Sequence, residues 1–111
     1  MEMISNEEKI TQAVLVSVDT GDYDAEASLA ELKELVKSAG AEPVFTVTQN
    51  LKRPETGTYV GTGKLQEIAD ICKQQEIDLL VFDCELSPTQ IRNIEAETDT
   101  RTIDRTMLIL D

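Results

Sequence analysis

Gly61-Thr62-Gly63-Lys64 joins two small residues to a cation, a combination that lets backbone N–H groups and an ammonium approach a phosphate together. Its spacing does not make a nucleotide-hydrolysing loop. A Walker A loop runs G-x-x-x-x-G-K-[ST], so that its N–H groups wrap the phosphates and its hydroxyl reaches Mg²⁺. Aligned on Gly63-Lys64, this sequence has Thr58 in place of the first glycine and Leu65 in place of the hydroxyl. The dinucleotide pattern G-x-G-x-x-G fails too, because Gln66 stands at its third glycine. What remains is weak anion binding at a helix start, or a tight loop-to-helix turn.

Asp19, Asp83 and Asp104 each close a predicted strand, so three carboxylates can rim one edge of a sheet. Such a rim suits Mg²⁺ or, in a receiver-like domain, phosphoryl acceptance. The same positions also suit helix capping and turns, which favour Asp for its short acceptor side chain. A receiver wants a fifth strand carrying Lys, for which this chain has no room. The acid-rich stretch DTGDYDAE, with Asp22 and Asp24, repels a nucleotide phosphate unless a metal intervenes.

Lys52, Arg53 and Lys64 flank a turn-rich loop, with Tyr59 between them, and Arg92, Arg101 and Arg105 lie near the far end of the sheet. Clustered cations with an interleaved aromatic suit RNA phosphate and base stacking. Solvated ion pairs are the plainer reading in so acidic a chain. Cys84, between Asp83 and Glu85, sits where negative charge raises a thiol pKa, which makes it a poor nucleophile. Cys72 falls on an apolar helical stripe as a small core residue. Two such thiols make no disulfide framework and are expected in a cytoplasmic protein. The sequence has no His, which removes imidazole catalysis and His-based metal sites.

The elements that must position these groups are legible from apolar patterning. Ala13–Val18 is a near-continuous apolar run ending at Asp19, the pattern of a strand buried on both faces. Asp24 caps a helix whose Leu29, Leu32, Leu35 and Val36 share a face, and Gly40 ends it. Strands follow at 44–48, 78–83 and 101–104. A second helix carries Leu65, Ile68, Ile71 and Cys72, and Ser87-Pro88 opens a third with Ile91 and Ile94 inward. Met107–Leu110 is expected to form an apolar turn. The segment SLAELKELV recurs as KLQEIADIC, as in successive βα units. The fold class is therefore α/β. It is a single small domain with a four-stranded, mostly parallel sheet of order 2-1-3-4 and helices on both faces, the first helix on one and the next two on the other. A ligand crevice would open at the strand carboxyl ends, between the first and third strands.

At 111 residues the chain has the size of one domain, expected as a polar lead-in over 1–12 followed by 13–111. With 41% apolar residues it can bury a core, which argues against disorder, and no run is long enough to span a membrane. Ten basic against 22 acidic residues give a net charge of −12. That field repels phosphate overall, so any RNA contact must be local.

Taken in order, AVLVSVD, SLAELKELVKSAGAEPVFTVTQ, RPETGTYVGTGKLQEI, DLLVFDCELSPTQIRNIE and IDRTMLILD closely resemble the N-terminal domain of HflX-family GTPases over residues 13–111. The most specific segments are TYVGTGKLQEI, ELSPTQIRNIE and DRTMLILD. The resemblance implies a small α/β domain followed, in the family, by a helical arm and a P-loop GTPase domain. It also implies action on the large (50S) ribosomal subunit in splitting or rescuing stalled ribosomes. By that likeness this chain is a non-catalytic docking domain, and GTP and Mg²⁺ belong to a GTPase domain whose motifs it lacks. Its rRNA contacts would be Lys52, Arg53, Tyr59, Gly61, Gly63 and Lys64. Cys84 stands where the family more often has an acid. Met107–Leu110 would pack on the arm, or pair two copies where the arm is missing. Two other readings stay open: a nucleotide-binding or hydrolysing domain using the crevice of Asp19, Asp83 and Asp104, and an acidic face (Asp22, Asp24, Glu26) meeting a basic ribosomal protein.

Overall fold

Strand β1 (Thr11–Asp19) buries six consecutive residues, Ala13 to Val18, because it lies inside the sheet with helices over both faces. The computed structural model describes residues 9–110, and side chains as far as Ile109. Most of the expected lead-in, residues 1–8, lies outside the described residues, as do Asp111 and the Leu110 side chain. Helix α1 (Ala25–Ser38) starts where the Asp24 carboxylate accepts the Ala27 N–H at 3.0 Å. It stops at Gly40, whose φ of +95° is open to glycine and strained for other residues.

Strand β2 (Ala41–Asn50) pairs in parallel with β1, and its exposed side chains mark it as a sheet edge. The register slips by one residue at Val44, next to Pro43. An edge tolerates both the bulge and the missing proline N–H. After a loop come α2 (Thr62–Gln74), β3 (Leu79–Phe82), α3 (Pro88–Thr98), β4 (Arg101–Asp104) and α4 (Arg105–Leu110). Ser87 accepts the Gln90 N–H while the Gln90 side chain accepts the Ser87 N–H, a capping box that fixes the start of α3.

The sheet order is β2-β1-β3-β4 with every pairing parallel, and the four strands form one α/β domain. Alternate residues of β1 feed separate cores. Val14, Val16 and Val18 pack with Leu80 and Phe82 against Leu65, Ile68 and Ile94 of α2 and α3. Ala13 and Leu15 pack with Leu79, Val81 and Ile103 against Leu32 and Val36 of α1. Complete burial of a side chain such as Phe82 is worth about 1.5–3 kcal/mol.

Met107–Leu110 is not the simple turn expected. It is part of α4, and Leu108 packs beside α1. The cause is Asp104, whose Oδ1 accepts the Met107 N–H at 2.8 Å and so nucleates a helix directly off the strand. Among the described residues no helix is long and apolar enough to cross a membrane.

Candidate functional site

The loop between β2 and α2 is held at three places. Glu55 and Tyr59 exchange backbone hydrogen bonds of 3.1 and 3.0 Å, which closes a small ring of chain. From α3, the Gln90 amide donates to the Thr56 carbonyl (3.1 Å) and the Asn93 amide donates to that of Gly57 (3.0 Å). The Gly61 N–H donates to Gln49 Oε1 on β2 at 2.8 Å. A Cβ at Gly61 would stand 3.2 Å from the Gln49 amide nitrogen, a tight contact that the glutamine side chain would have to relieve. At Gly63 a Cβ would meet nothing within 4 Å.

This frame positions the predicted contact residues unequally. Lys52 and Arg53 are exposed and make no ion pair among the described residues. Lys52 borders an open hollow of about 410 Å³ with Asp19, Gly21 and Asn50. Lys64, on the first turn of α2, lies 3.2 Å from Glu67, which offsets part of its charge. The Tyr59 ring packs edge-on against Phe82, 6.3 Å between centroids, instead of standing free among the cations. Its φ of +67° lies in the left-handed region that non-glycine residues seldom adopt. Burial pushes its phenol well above the ordinary range, with the neighbouring Cys84 adding to the effect. Burial likewise pushes the Cys84 thiol up to about 12, so this cysteine is neutral and unreactive at neutral pH. Cys72 is buried, and burial raises its thiol as well.

The strand-end carboxylates are engaged by the chain itself. Asp19 Oδ1 accepts the Gly21 N–H at 2.9 Å. Asp104 Oδ2 accepts the Leu86 N–H at 2.8 Å, and its other oxygen caps α4. Asp83, whose side chain is fully buried, accepts the Arg105 guanidinium at 2.7 Å. Asp104 is the register partner of Phe82, so it faces away from Asp83 and the rim is divided between the two sides of the sheet. No group of three or more potential ligands is placed to hold a metal ion among the described residues.

Arg105, grouped in the sequence with Arg92 and Arg101 as a cation for RNA phosphate, is instead committed to the chain's own acids, first of all Asp83. It also donates to the Ser28 carbonyl and hydroxyl, at 3.2 Å each, and pairs with Glu31. Hydrogen bonding to Asp83 raises its already high pKa. The only hint in the sequence is an acid and a base each next to a strand end. Arg92 and Arg101 are exposed. Among the described residues, two buried side-chain polar atoms have no hydrogen-bond partner: Asp83 Oδ2 and the Ser17 hydroxyl.

Residues 26–111 match the family described as GTP-binding GTPase N-terminal. The chain is 50% identical over 111 residues to the GTPase HflX of Lacrimispora saccharolytica, covering 99% of this chain and 26% of that protein. It is 46% identical over 101 residues to the GTPase HflX of Escherichia coli, covering 90% and 24%. The chain thus spans about a quarter of the length of these relatives. The fold is also that of a GTP-binding protein from Sulfolobus solfataricus solved with GDP. There the TM-score is 0.67 at 24% identity, over 91% of this chain and 29% of that one.

Proposed function

The chain belongs to the GTP-binding GTPase N-terminal family, as the N-terminal domain of an HflX GTPase, and from that premise we propose that it docks on the large ribosomal subunit without itself making or breaking bonds. The observation that carries this reading is the pinned loop. In a chain of net charge −12, Lys52 and Arg53 stand exposed at the start of a loop that Gln49, Gln90 and Asn93 tie down at Gly61, Thr56 and Gly57. Cations on a loop already tied to its neighbours can meet rRNA phosphate with less ordering of the chain on binding. Lys64 adds a third positive group beside the free N–H end of α2.

Nucleotide chemistry fits this segment poorly. The Gly61 N–H is taken by Gln49, while Asp19, Asp83 and Asp104 already accept protein donors. GTP and Mg²⁺ are therefore assigned to the part of HflX proteins that lies beyond this quarter of their length. Met107 and Ile109, both exposed, are the surface that the next segment of an HflX protein would cover. In the isolated chain a second copy is the alternative cover.

Co-sedimentation with purified large subunits tests the docking. Binding is expected to be weak and to fall steeply with salt, because each phosphate contact releases counterions. Changing Lys52, Arg53 and Lys64 to Glu should weaken it by about tenfold or more. Salt-insensitive binding, or binding untouched by the triple change, rules the loop out. Saturable micromolar binding of ATP or GTP in calorimetry, with or without Mg²⁺, would favour the strand-end crevice instead.

A further inference from the structure

On the α1 face acidic groups gather at two ends of the sheet, and the chain supplies a cation to only one of them. At the β3–β4 end the Arg105 guanidinium lies against Asp83, Ser28 and Glu31. At the β1–β2 end a pocket of about 490 Å³ lies between the sheet and the first turn of α1. Its sheet side is lined by Ser17 and Thr48, which are register partners on β1 and β2. Leu29 and Tyr23 give it apolar walls, and Asp19, Asp24 and Glu26 give it negative charge.

Ser17 is 1% exposed and its hydroxyl has no partner. Buried hydroxyls are rarely left unpaired, so the pocket is short of a hydrogen-bonding group. None of the three carboxylates makes an ion pair among the described residues. Together they outweigh the roughly +0.5 charge at the α1 N-terminus. An anion is therefore excluded, and the fitting group is a cation on an apolar stem. A compact ammonium with three donors serves a point acceptor such as a hydroxyl better than a planar guanidinium fork does. Thr48 lies on β2, the sheet edge, whose outer backbone groups are open to an extended chain.

We propose that this pocket receives a lysine side chain from a basic segment of a partner protein laid along the β2 edge. The assignment does not rest on the Lys52–Arg53 loop. The test is titration of the isotope-labelled chain with tetralysine, with its fully acetylated form and with spermidine, followed by amide chemical shifts.

Tetralysine should give saturable shifts centred on Ser17, Leu29 and Thr48, and the acetylated peptide none. Asp24→Asn with Glu26→Gln removes two charges and keeps an N-cap, and should lower the affinity by about tenfold. Ser17→Ala removes a hydroxyl that the fold itself leaves unpaired, so it should lower affinity about fivefold while leaving the urea midpoint in place. The loop triple variant should bind tetralysine like the parent, which separates this proposal from the docking surface. Equal shifts around remote acids such as Glu76 and Glu97, or unchanged affinity in the charge-removed variant, would overturn it. Saturation by spermidine but not by tetralysine would overturn the assignment to a protein segment.

Discussion

Under α2 and α3 the sheet meets an almost wholly apolar layer, with Phe82, Leu65, Ile68 and Ile94 fully or nearly fully buried. Under α1 and α4 the apolar cluster is smaller and gives way, toward the strand carboxyl ends, to Ser17, Asp83 and Arg105. The first face is non-directional glue and is satisfied from within. The second mixes burial with polar groups that need particular partners, one set met by Arg105 and another left open. The two sides of one four-stranded sheet thus differ in chemistry, one apolar and the other mixing apolar with polar groups.

The sharpest way to break this contrast is Phe82→Ala, which empties the centre of the apolar face. It should destabilise the chain by about 3–5 kcal/mol in urea unfolding. Arg105→Met comes next. It strips the fully buried Asp83 of its partner, and because Arg105 is itself 22% exposed the loss belongs at the low end for such pairs, about 3 kcal/mol. A double-mutant cycle with Asp83→Asn should recover part of that loss, whereas a change below about 1 kcal/mol would mean the pair behaves as a surface contact.

Alkaline pH probes the apolar face by a third route. Cys84 rises from an ordinary value of 9.0 to about 12 in the fold, so the native state keeps a proton that the unfolded chain gives up. Its contribution is complete below pH 9 and is lost as pH climbs toward 12, with the raised Tyr59 phenol acting in the same sense. The urea-derived stability should fall above pH 9 by at most about 1.4 kcal/mol per pH unit for each such group, and Cys84→Ala should flatten the slope. Smallest of the four, Ser87→Ala removes the reciprocal cap of α3 and should cost about 1 kcal/mol, read as a shifted midpoint at unchanged m-value.

Strand number, order and helix placement were legible because β1 and β3 are unbroken apolar runs and because Gly40 and Ser87-Pro88 act through local geometry. Strand ends were less legible. Thr11 and Gln12, or Gln49 and Asn50, join the sheet through backbone pairing that polar side chains do not advertise. The helical form of α4 depends on Asp104 capping it, while the same carboxylate binds Leu86, 18 positions away. The Arg105–Asp83 pair and the packing of Tyr59 against Phe82 are tertiary facts, and no spacing rule encodes them. The exposed cations of the loop were visible as residue types, but the frame from Gln49, Gln90 and Asn93 was not.

The all-parallel pairing of β1 has a kinetic consequence. No two strands of this sheet can close as a hairpin, and the contact that brings β3 to β1 is marked by Gln12 binding Asp78 across 66 positions of chain. During synthesis β1 emerges first and stays incomplete until β3 has been made. For that interval its run of Val and Leu is open to misassembly, and ordering it late should make refolding slow for a chain of this size.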